Sequence, residues 1–203
     1  MNRRILVELK LAMEFGAAPV GNTLPEARSN GDGQPRLLVS LFGDDHAVFF
    51  RFDVPADVRK DLSALGSTAL MRDAERVTAI LARDASCESI YRIRWYTIER
   101  LADPAEYPDV TFVDGRHVII IDGEIVGWAR TDCETEHAAE VSIETHEAFR
   151  RRGYARQLTA AWAAQVLSSG KVAFYSHLLG NAPSQAVAES LGLVHLSDEI
   201  EYL

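Results

Sequence analysis

The chain has 203 residues, of which 47% are hydrophobic, enough to bury the core of one large domain or of one and a half small ones. Its formal net charge of −9 argues against nucleic-acid binding, which depends on a basic surface to displace counterions. The same negative field favours cationic partners such as amines.

The first element is a predicted amphipathic helix. Ile5, Leu9 and Met13 recur at helical spacing on one face, which we expect to pack on the body of the protein. Charged residues interrupt this apolar run, so it is not interpreted as a signal peptide. No stretch approaches the length of a membrane span, and no membrane partner is expected.

A loop or linker is predicted from Gly21 to Arg36, where turn-forming residues cluster without periodicity. The pattern then predicts a hairpin, two helices and a strand. Their bounds are Leu37–Phe42 and Ala47–Phe52 around a turn at Gly43–His46, a helix capped by Asp53 and ended by Gly66, a helix over Ala74–Arg83, and a strand over Ile90–Ile98.

The two cysteines, Cys87 and Cys133, form no C-x-x-C motif, so neither a disulfide framework nor a zinc ribbon is indicated. A reducing, cytoplasmic setting fits this pattern. His137, Glu140 and His146 lie near one another in the chain, but on a strand their spacing matches no common ligand template. No metal site is predicted.

A second hairpin is predicted over Val118–Ala129, because Asp122-Gly123 suits a tight turn between two apolar runs. A strand carrying Val141 and Ile143 follows, and after an arginine-rich turn a helix begins on Gly153. The first turn of a helix has unpaired N–H groups and the positive end of the dipole, so this turn is a predicted site for phosphate oxygens.

A further strand is predicted over Val172–His177, followed by a helix. Asn181 caps this helix, Pro183 lies in its first turn, and Gly192 ends it before a last strand. The sequence therefore predicts alternating strands and helices throughout its second half.

These motifs resemble the GNAT superfamily, the acetyl-CoA-dependent N-acetyltransferases. Arg150, Gly153 and Ala155 occupy the defining positions of that family's pyrophosphate loop, and the run from Asn181 to Leu193 is similar to its second signature. The resemblance covers roughly residues 110–203. It implies an α/β (α+β) fold, in which a mixed, mostly antiparallel sheet is flanked by helices, with an N-terminal α+β extension.

The resemblance implies acetyl-CoA as cofactor. The backbone of residues 151–155 would hold the pyrophosphate, residues 143–145 would pair with the pantetheine arm, and the arginines would attract the nucleotide. The arginines also have a plainer interpretation as a solvated turn. The implied cofactor residues are Ile143, Glu144, Thr145, Arg150, Arg151, Arg152, Gly153, Tyr154, Ala155, Arg156, Asn181 and Ser184.

The catalytic residues implied are Glu140 as a base acting through water, Asn181 near the thioester, and an amide, that of Ile143, for the oxyanion. The tyrosine that often serves as general acid is replaced by Ala188, so Tyr175, or His177 beside it, is the substitute. Each has a structural alternative: Glu140 as a solvated strand-end carboxylate, Asn181 and Ser184 as helix caps, and Tyr175 as core packing.

The predicted function is direct transfer of an acetyl group from acetyl-CoA to a small-molecule or peptide amine. The alternative is a non-catalytic acyl-CoA-binding or regulatory module, in which Ala188 marks lost proton transfer.

We expect residues 1–100 to form an N-terminal α+β region and residues 101–203 the acetyl-CoA-binding domain. The first region either supplies the opening strand and paired helices of the GNAT fold or forms a separate subdomain. Oligomeric state stays open, with pairing of an edge strand from Leu193–Leu203 across a homodimer as one arrangement.

Overall fold

The computed structural model describes residues 1–25, 33–100 and 102–203. No helix within these ranges is both long and apolar enough to cross a membrane. In chain order the helices and strands are α1 (Arg3–Phe15), β1 (Leu37–Phe42), β2 (Asp45–Phe50), α2 (Ala56–Leu65), α3 (Ser67–Arg72), α4 (Ala74–Leu81), β3 (Ile90–Ile98), β4 (Val110–Val113), β5 (Arg116–Ile121), β6 (Glu124–Glu134), β7 (Ala138–Thr145), α5 (Tyr154–Ser168), β8 (Val172–Leu178), α6 (Ala182–Ser190) and β9 (Val194–Tyr202).

The chain divides into two compact units, one formed by Met1–Trp95 with Leu196–Leu203 and the other by Tyr96–His195. In the first unit the strand order is β2-β1-β9-β3, and β1 is antiparallel to both of its neighbours. Because β9 lies between β1 and β3, the C-terminal segment is not the free edge that the dimer arrangement required. Part of the linker predicted from Gly21 to Arg36 lies outside the described residues.

The hairpin β1–β2 is confirmed, with a shift in its second strand. β2 begins at Asp45 and not at Ala47, because the turn is the two-residue pair Gly43-Asp44, with Gly43 in the left-handed region at φ 67°. A tight two-residue turn keeps the strands paired up to their ends. Phe52 consequently falls outside the strand and is 55% exposed.

The caps of the next helices differ from the prediction. Asp53 pairs with Arg51 at 2.7 Å and does not cap α2, which has Pro55 at its N-cap. Gly66 ends α2 as predicted but also opens α3, a short helix that the pattern missed. Asp73 caps α4 by accepting from the amide of Arg76 at 3.1 Å.

The buried face of α1 agrees only in part with the predicted one, since Met13 is buried and Leu9 is half-buried. Ile5 is 52% exposed, whereas Val7, Lys10 and Leu11 are buried. The inward face is mainly apolar, with Leu6, Val7 and Leu11 buried, and carboxylates neutralise the lysine within it. Its Nζ lies 2.5 Å from an oxygen of Glu14 and 2.5 Å from an oxygen of Glu199.

Lys10 is the centre of a buried charge cluster in the first unit. Its ammonium group also lies over the Trp95 ring, 4.5 Å from the centroid. Burial alone lowers the pKa of Lys10, but the carboxylates of Glu14 and Glu199 outweigh it and raise that pKa above the ordinary value. Burial raises the pKa of Glu201 to about 7, against the attraction of Lys10.

Stability is expected to fall as pH rises through the titration of Glu201. Its pKa is 4.5 ordinarily and about 7 in the folded chain, so between these values the folded chain binds a proton that the unfolded chain has lost. The free energy of unfolding should therefore decrease by about 3 kcal/mol across this window. Urea unfolding from about pH 5 to about pH 8 measures this slope. Glu201→Gln should abolish it, and an equal slope in that variant would contradict the assignment.

In the second unit the strands lie in the order β8-β7-β6-β5-β4, with β7–β8 parallel and the other pairs antiparallel. Asp122-Gly123 turns the chain between β5 and β6 as predicted, with φ of 53° and 84°. Asp114-Gly115 does the same between β4 and β5, a hairpin that was not predicted although it carries the same signal. The predicted fold class, a mixed, mostly antiparallel sheet flanked by helices, is confirmed.

Helix α5 packs its apolar side on β6 and β7 and so fixes the position of its own N-terminus. Leu158 and Trp162 are almost fully buried in this core. The indole N–H of Trp162 donates to the hydroxyl of Thr131 on β6 at 3.0 Å, which satisfies the one polar atom of a buried ring.

Candidate active site

The strands β7 and β8 pair over only part of their lengths. Their parallel register joins Ala138–Glu140 to residues 172–174, although β7 continues to Thr145 and β8 to Leu178. In this stretch, where every residue is described, the two strands have no further register. We call the opening between residues 141–145 and residues 175–178 the fork.

One hydrogen bond determines which backbone groups of β7 point into the fork. The amide of His146 donates to the carbonyl of Val126 at 2.8 Å, and the β6–β7 register places these residues opposite each other. Bonded and non-bonded pairs alternate in an antiparallel ladder, so the residues at 142 and 144 also bond to β6. The amides of Val141, Ile143 and Thr145 therefore point the other way, toward the fork.

This hydrogen-bond alternation places the backbones of two predicted cofactor residues at the fork. Ile143 and Thr145 offer backbone groups to the fork, and the Thr145 carbonyl is reached from that side by Nε of Arg150 at 3.2 Å. The backbone of Glu144 is instead opposite Trp128 and bonds within the sheet. Its side chain is exposed.

The loop that follows β7 has two residues in the left-handed region, Arg151 at φ 63° and Gly153 at φ 81°. Gly153 is the N-cap of α5, which confirms the predicted helix start. The first hydrogen bond of the helix runs from the amide of Gln157 to the carbonyl of Gly153 at 3.1 Å, so the helix gives no partner to the amides of residues 154–156. Unpaired amides and the positive end of a helix dipole are the groups that bind anions in proteins, so we call this helix start the candidate anion site.

The predicted arginines divide into two groups. Arg150 and Arg152 stay at the loop, where Arg152 donates to the carbonyl of Ala148 at 3.4 Å and lies over the Phe149 ring, and Arg151 is exposed beside them. Arg156 instead points away and donates to Glu106 at 3.2 Å. Three cations therefore remain available for an anionic ligand at this loop.

Two observations fit a ligand of the predicted kind. A Cβ built on Gly153 would meet no atom within 4 Å, so open space lies above the backbone at the anion site. The hydroxyl oxygen of Thr145 is buried and, among the described residues, has no hydrogen-bond partner. A pyrophosphate at α5 and an amide-bearing arm in the fork would supply the anion and the missing partners, so the residues present fit acetyl-CoA.

Asn181 lies at the start of α6, one turn of chain beyond β8. Its side-chain oxygen accepts from the amide of Ser184 at 3.2 Å, as the capping interpretation predicted. Its own amide donates to the carbonyl of Leu178 at 3.0 Å. The structure therefore anchors Asn181 at the end of the fork, and leaves its side chain exposed.

Tyr175 is buried on the face of β8 that packs against α6. Its hydroxyl donates to the carbonyl of Ser184 at 3.0 Å, and burial raises its pKa to about 12. Ala188 is buried in the same core. The phenolic proton of Tyr175 is thus used to hold α6, and a role for Tyr175 in proton transfer stays a prediction.

Glu140 lies at the closed end of the fork, half-buried on the opposite face of the sheet. The hydroxyl of Ser176 donates to one of its oxygens at 2.6 Å, and the thiol of Cys133 lies 3.5 Å from the other. Cys133 reaches this side because β6 contains one extra residue between the positions opposite Val141 and Ala139, a β-bulge.

Neither Ser176 nor Cys133 was predicted as a site residue. Period-two alternation on β8 gives the face of Ser176, but the register with β7 cannot be obtained from it. For metals, the described residues contain no group of three or more His, Cys, Asp or Glu side chains that could hold an ion.

Comparison with known proteins bears on this site. The family model for GNAT acetyltransferase matches residues 116–199. No curated protein matches the chain at a significant level.

Three solved structures are similar to the structure of this chain. A GCN5-related N-acetyltransferase from Sphaerobacter thermophilus has a TM-score of 0.50 at 10% identity over 80% of this chain and 75% of that one. A GCN5-related N-acetyltransferase-like protein from Streptococcus suis has a TM-score of 0.49 at 16% identity over 84% and 85%. A GNAT-family protein from Novosphingobium aromaticivorans has a TM-score of 0.45 at 19% identity, and the match spans 57% of this chain and 65% of that one.

At 10% identity the Sphaerobacter thermophilus structure shows a similarity of fold alone. That similarity extends over most of both chains. The family model covers the hairpin β5–β6, the fork, the loop and α6. The resemblance predicted from the motifs is therefore confirmed over residues 116–199, the stretch that matches the family model for GNAT acetyltransferase.

Proposed function

We propose that this protein transfers an acetyl group from acetyl-CoA directly to an amine. The proposal depends on one observation: the free amides of β7 and the N-terminus of α5 follow each other directly in the chain. β7 turns its free amides into the fork and then leads directly into the anion site at the N-terminus of α5. An elongated ligand with an anionic group near its middle matches this arrangement.

The anionic end would be held by the amides at the start of α5 and by Arg150, Arg151 and Arg152. Gly153 leaves the backbone open to close approach. The amides of Ile143 and Thr145 would bind the arm in the fork as a further strand would. Such contacts use the main chain, so the side chains of β7 remain free to pack in the core or to face the acceptor.

Acetyl-CoA, when bound, would supply an activated acetyl thioester. The residues of this chain must then hold the negative charge that develops on the carbonyl oxygen and remove a proton from the amine. The amide of Ile143 faces the fork and is the donor proposed for that charge. Glu140, held at the closed end of the fork, is the proposed base, acting through water.

The acceptor is proposed to be a small-molecule or peptide amine. At neutral pH most amines are cationic, and the chain has a net charge of −9. Glu140 and Glu144 lie on one face of β7 by the period-two rule, with Trp128 opposite Glu144. The two carboxylates attract an ammonium group.

A second candidate is a non-catalytic acyl-CoA-binding module. Ala188 stands buried where many family members have a tyrosine, and the hydroxyl of Tyr175 is bound to the backbone of Ser184. Direct transfer still remains chemically accessible, because a thiolate with an ordinary thiol pKa can leave and take its proton from water. The two candidates share the cofactor site and differ in turnover.

The test measures binding and turnover separately. Calorimetric titration of acetyl-CoA and CoA reports binding, and release of free CoA thiol in the presence of an aminoglycoside, a polyamine, an amino acid or a peptide reports transfer. Binding with amine-dependent thiol release supports acetyl transfer. Binding without release supports the second candidate, and the absence of both overturns the cofactor assignment.

A further inference from the structure

We propose that Ser176 is a positioning residue that orients Glu140 and keeps it ionised. This inference rests on the proposed function, since it concerns the base of that reaction. The motif comparison points to Glu140 alone, and the geometry around its carboxylate adds the second residue.

Ser176 lies on β8 just beyond the point where β7 and β8 separate. The paired register of β7 and β8 ends at Glu140 and Phe174, and Ser176 is the next residue of β8 on the face of Glu140. Its hydroxyl reaches back across the opening to the carboxylate at 2.6 Å. A hydrogen bond of this length to a carboxylate is of the strong, charge-assisted kind.

The bond has two physical consequences. It stabilises the ionised form of Glu140, because the hydroxyl donates to the charge and has no such role toward a neutral acid in this orientation. It also restricts rotation of the Glu140 side chain, so the second carboxylate oxygen has a defined direction. That second oxygen is the one near the thiol of Cys133 at 3.5 Å.

Charged groups of the neighbouring strands also lie on this face. From β7, the carboxylate of Glu144 is exposed and repels a negative neighbour. From β6, Arg130 stands opposite Ser142 and lies over the Trp128 ring, 5.2 Å from its centroid. From β8, the hydroxyl of Ser176 donates to Glu140.

The test compares Ser176→Ala, Ser176→Thr and a matched control, Ser142→Ala, which removes a half-buried hydroxyl from the same face of β7. Ser176→Ala should lower kcat/KM for the amine about tenfold at neutral pH. The KM for acetyl-CoA should be unchanged. The acidic limb of the pH profile should move up by about one pH unit. Ser176→Thr should retain most activity, and Ser142→Ala should match the wild type.

A second measurement does not depend on activity. Carbon-13 NMR of carboxyl-labelled protein follows the titration of Glu140, whose resonance is assigned by its loss in Glu140→Gln. In Ser176→Ala this resonance should titrate at higher pH than in the wild type, with the Ser142→Ala protein unchanged. Equal titration in Ser176→Ala and wild type would overturn the inference. A wild type inactive with every amine would overturn the proposed function, and the NMR result separates the two.

Discussion

Gly153→Val is expected to weaken the binding of acetyl-CoA by about 1000-fold. The valine side chain would enter the open space above the N-terminus of α5, where an added Cβ meets no protein atom. It would also disfavour the left-handed backbone at φ 81°, because a β-branched residue is strained there. The amides that form the anion site would then be both covered and misdirected. Calorimetric titration measures the loss.

Gly170→Val is the matched control for this change. Gly170 lies just beyond the C-terminus of α5, with φ 79° and the same open space around an added Cβ. The two variants should therefore lose similar free energy of unfolding, about 1 to 2 kcal/mol, because the backbone strain is the same. Only Gly153→Val should lose the cofactor. Normal binding by a folded Gly153→Val protein would contradict the pyrophosphate site.

The local elements of this fold could be predicted because their signals are contained in short stretches. The strand Ile90–Ile98 has the predicted bounds, the Asp122-Gly123 turn is where it was expected, and α5 starts after Gly153. The unpredicted hairpin at Asp114-Gly115 has the same Asp-Gly turn signal as Asp122-Gly123, so it could also have been predicted.

Features that depend on distant residues could not be predicted. Lys10 is buried beside Glu199 of β9, a partner 189 positions away in the chain. Helical periodicity treats a lysine as a surface residue, and so it selected the face of Ile5 instead. The partners of a buried charge are a property of the folded chain.

In the candidate site, too, one part could be predicted from local sequence and another part could not. The anion site at Arg150–Ala155 is one continuous stretch, and its helix start was predicted from the spacing alone. The surroundings of Glu140 come from three strands. They need the parallel register that ends at Phe174 and the bulge that brings Cys133 to this face, and neither leaves a mark in the sequence.

Glu140→Gln is expected to lower kcat for acetyl transfer by about 1000-fold at neutral pH. Glutamine keeps the size of the side chain and can still accept from Ser176, so the fork should keep its shape. It cannot take a proton from an ammonium group through water. Binding of acetyl-CoA should be nearly unchanged, because its proposed contacts are the amides of β7 and the loop, and calorimetry alongside initial rates separates the two effects.

Glu144→Gln is the control variant: it removes the same negative charge from a different position on β7. Glu144 lies on the same face of β7 but is exposed, and its removal changes the net charge of the chain by the same amount. It should alter kcat by less than about threefold, with a modest rise in KM for a cationic amine. The pH profile is decisive, since Glu140→Gln should lose the acidic limb that Glu144→Gln retains. An unchanged profile in Glu140→Gln would mean that the amine loses its proton to another group, and the base would have to be sought elsewhere.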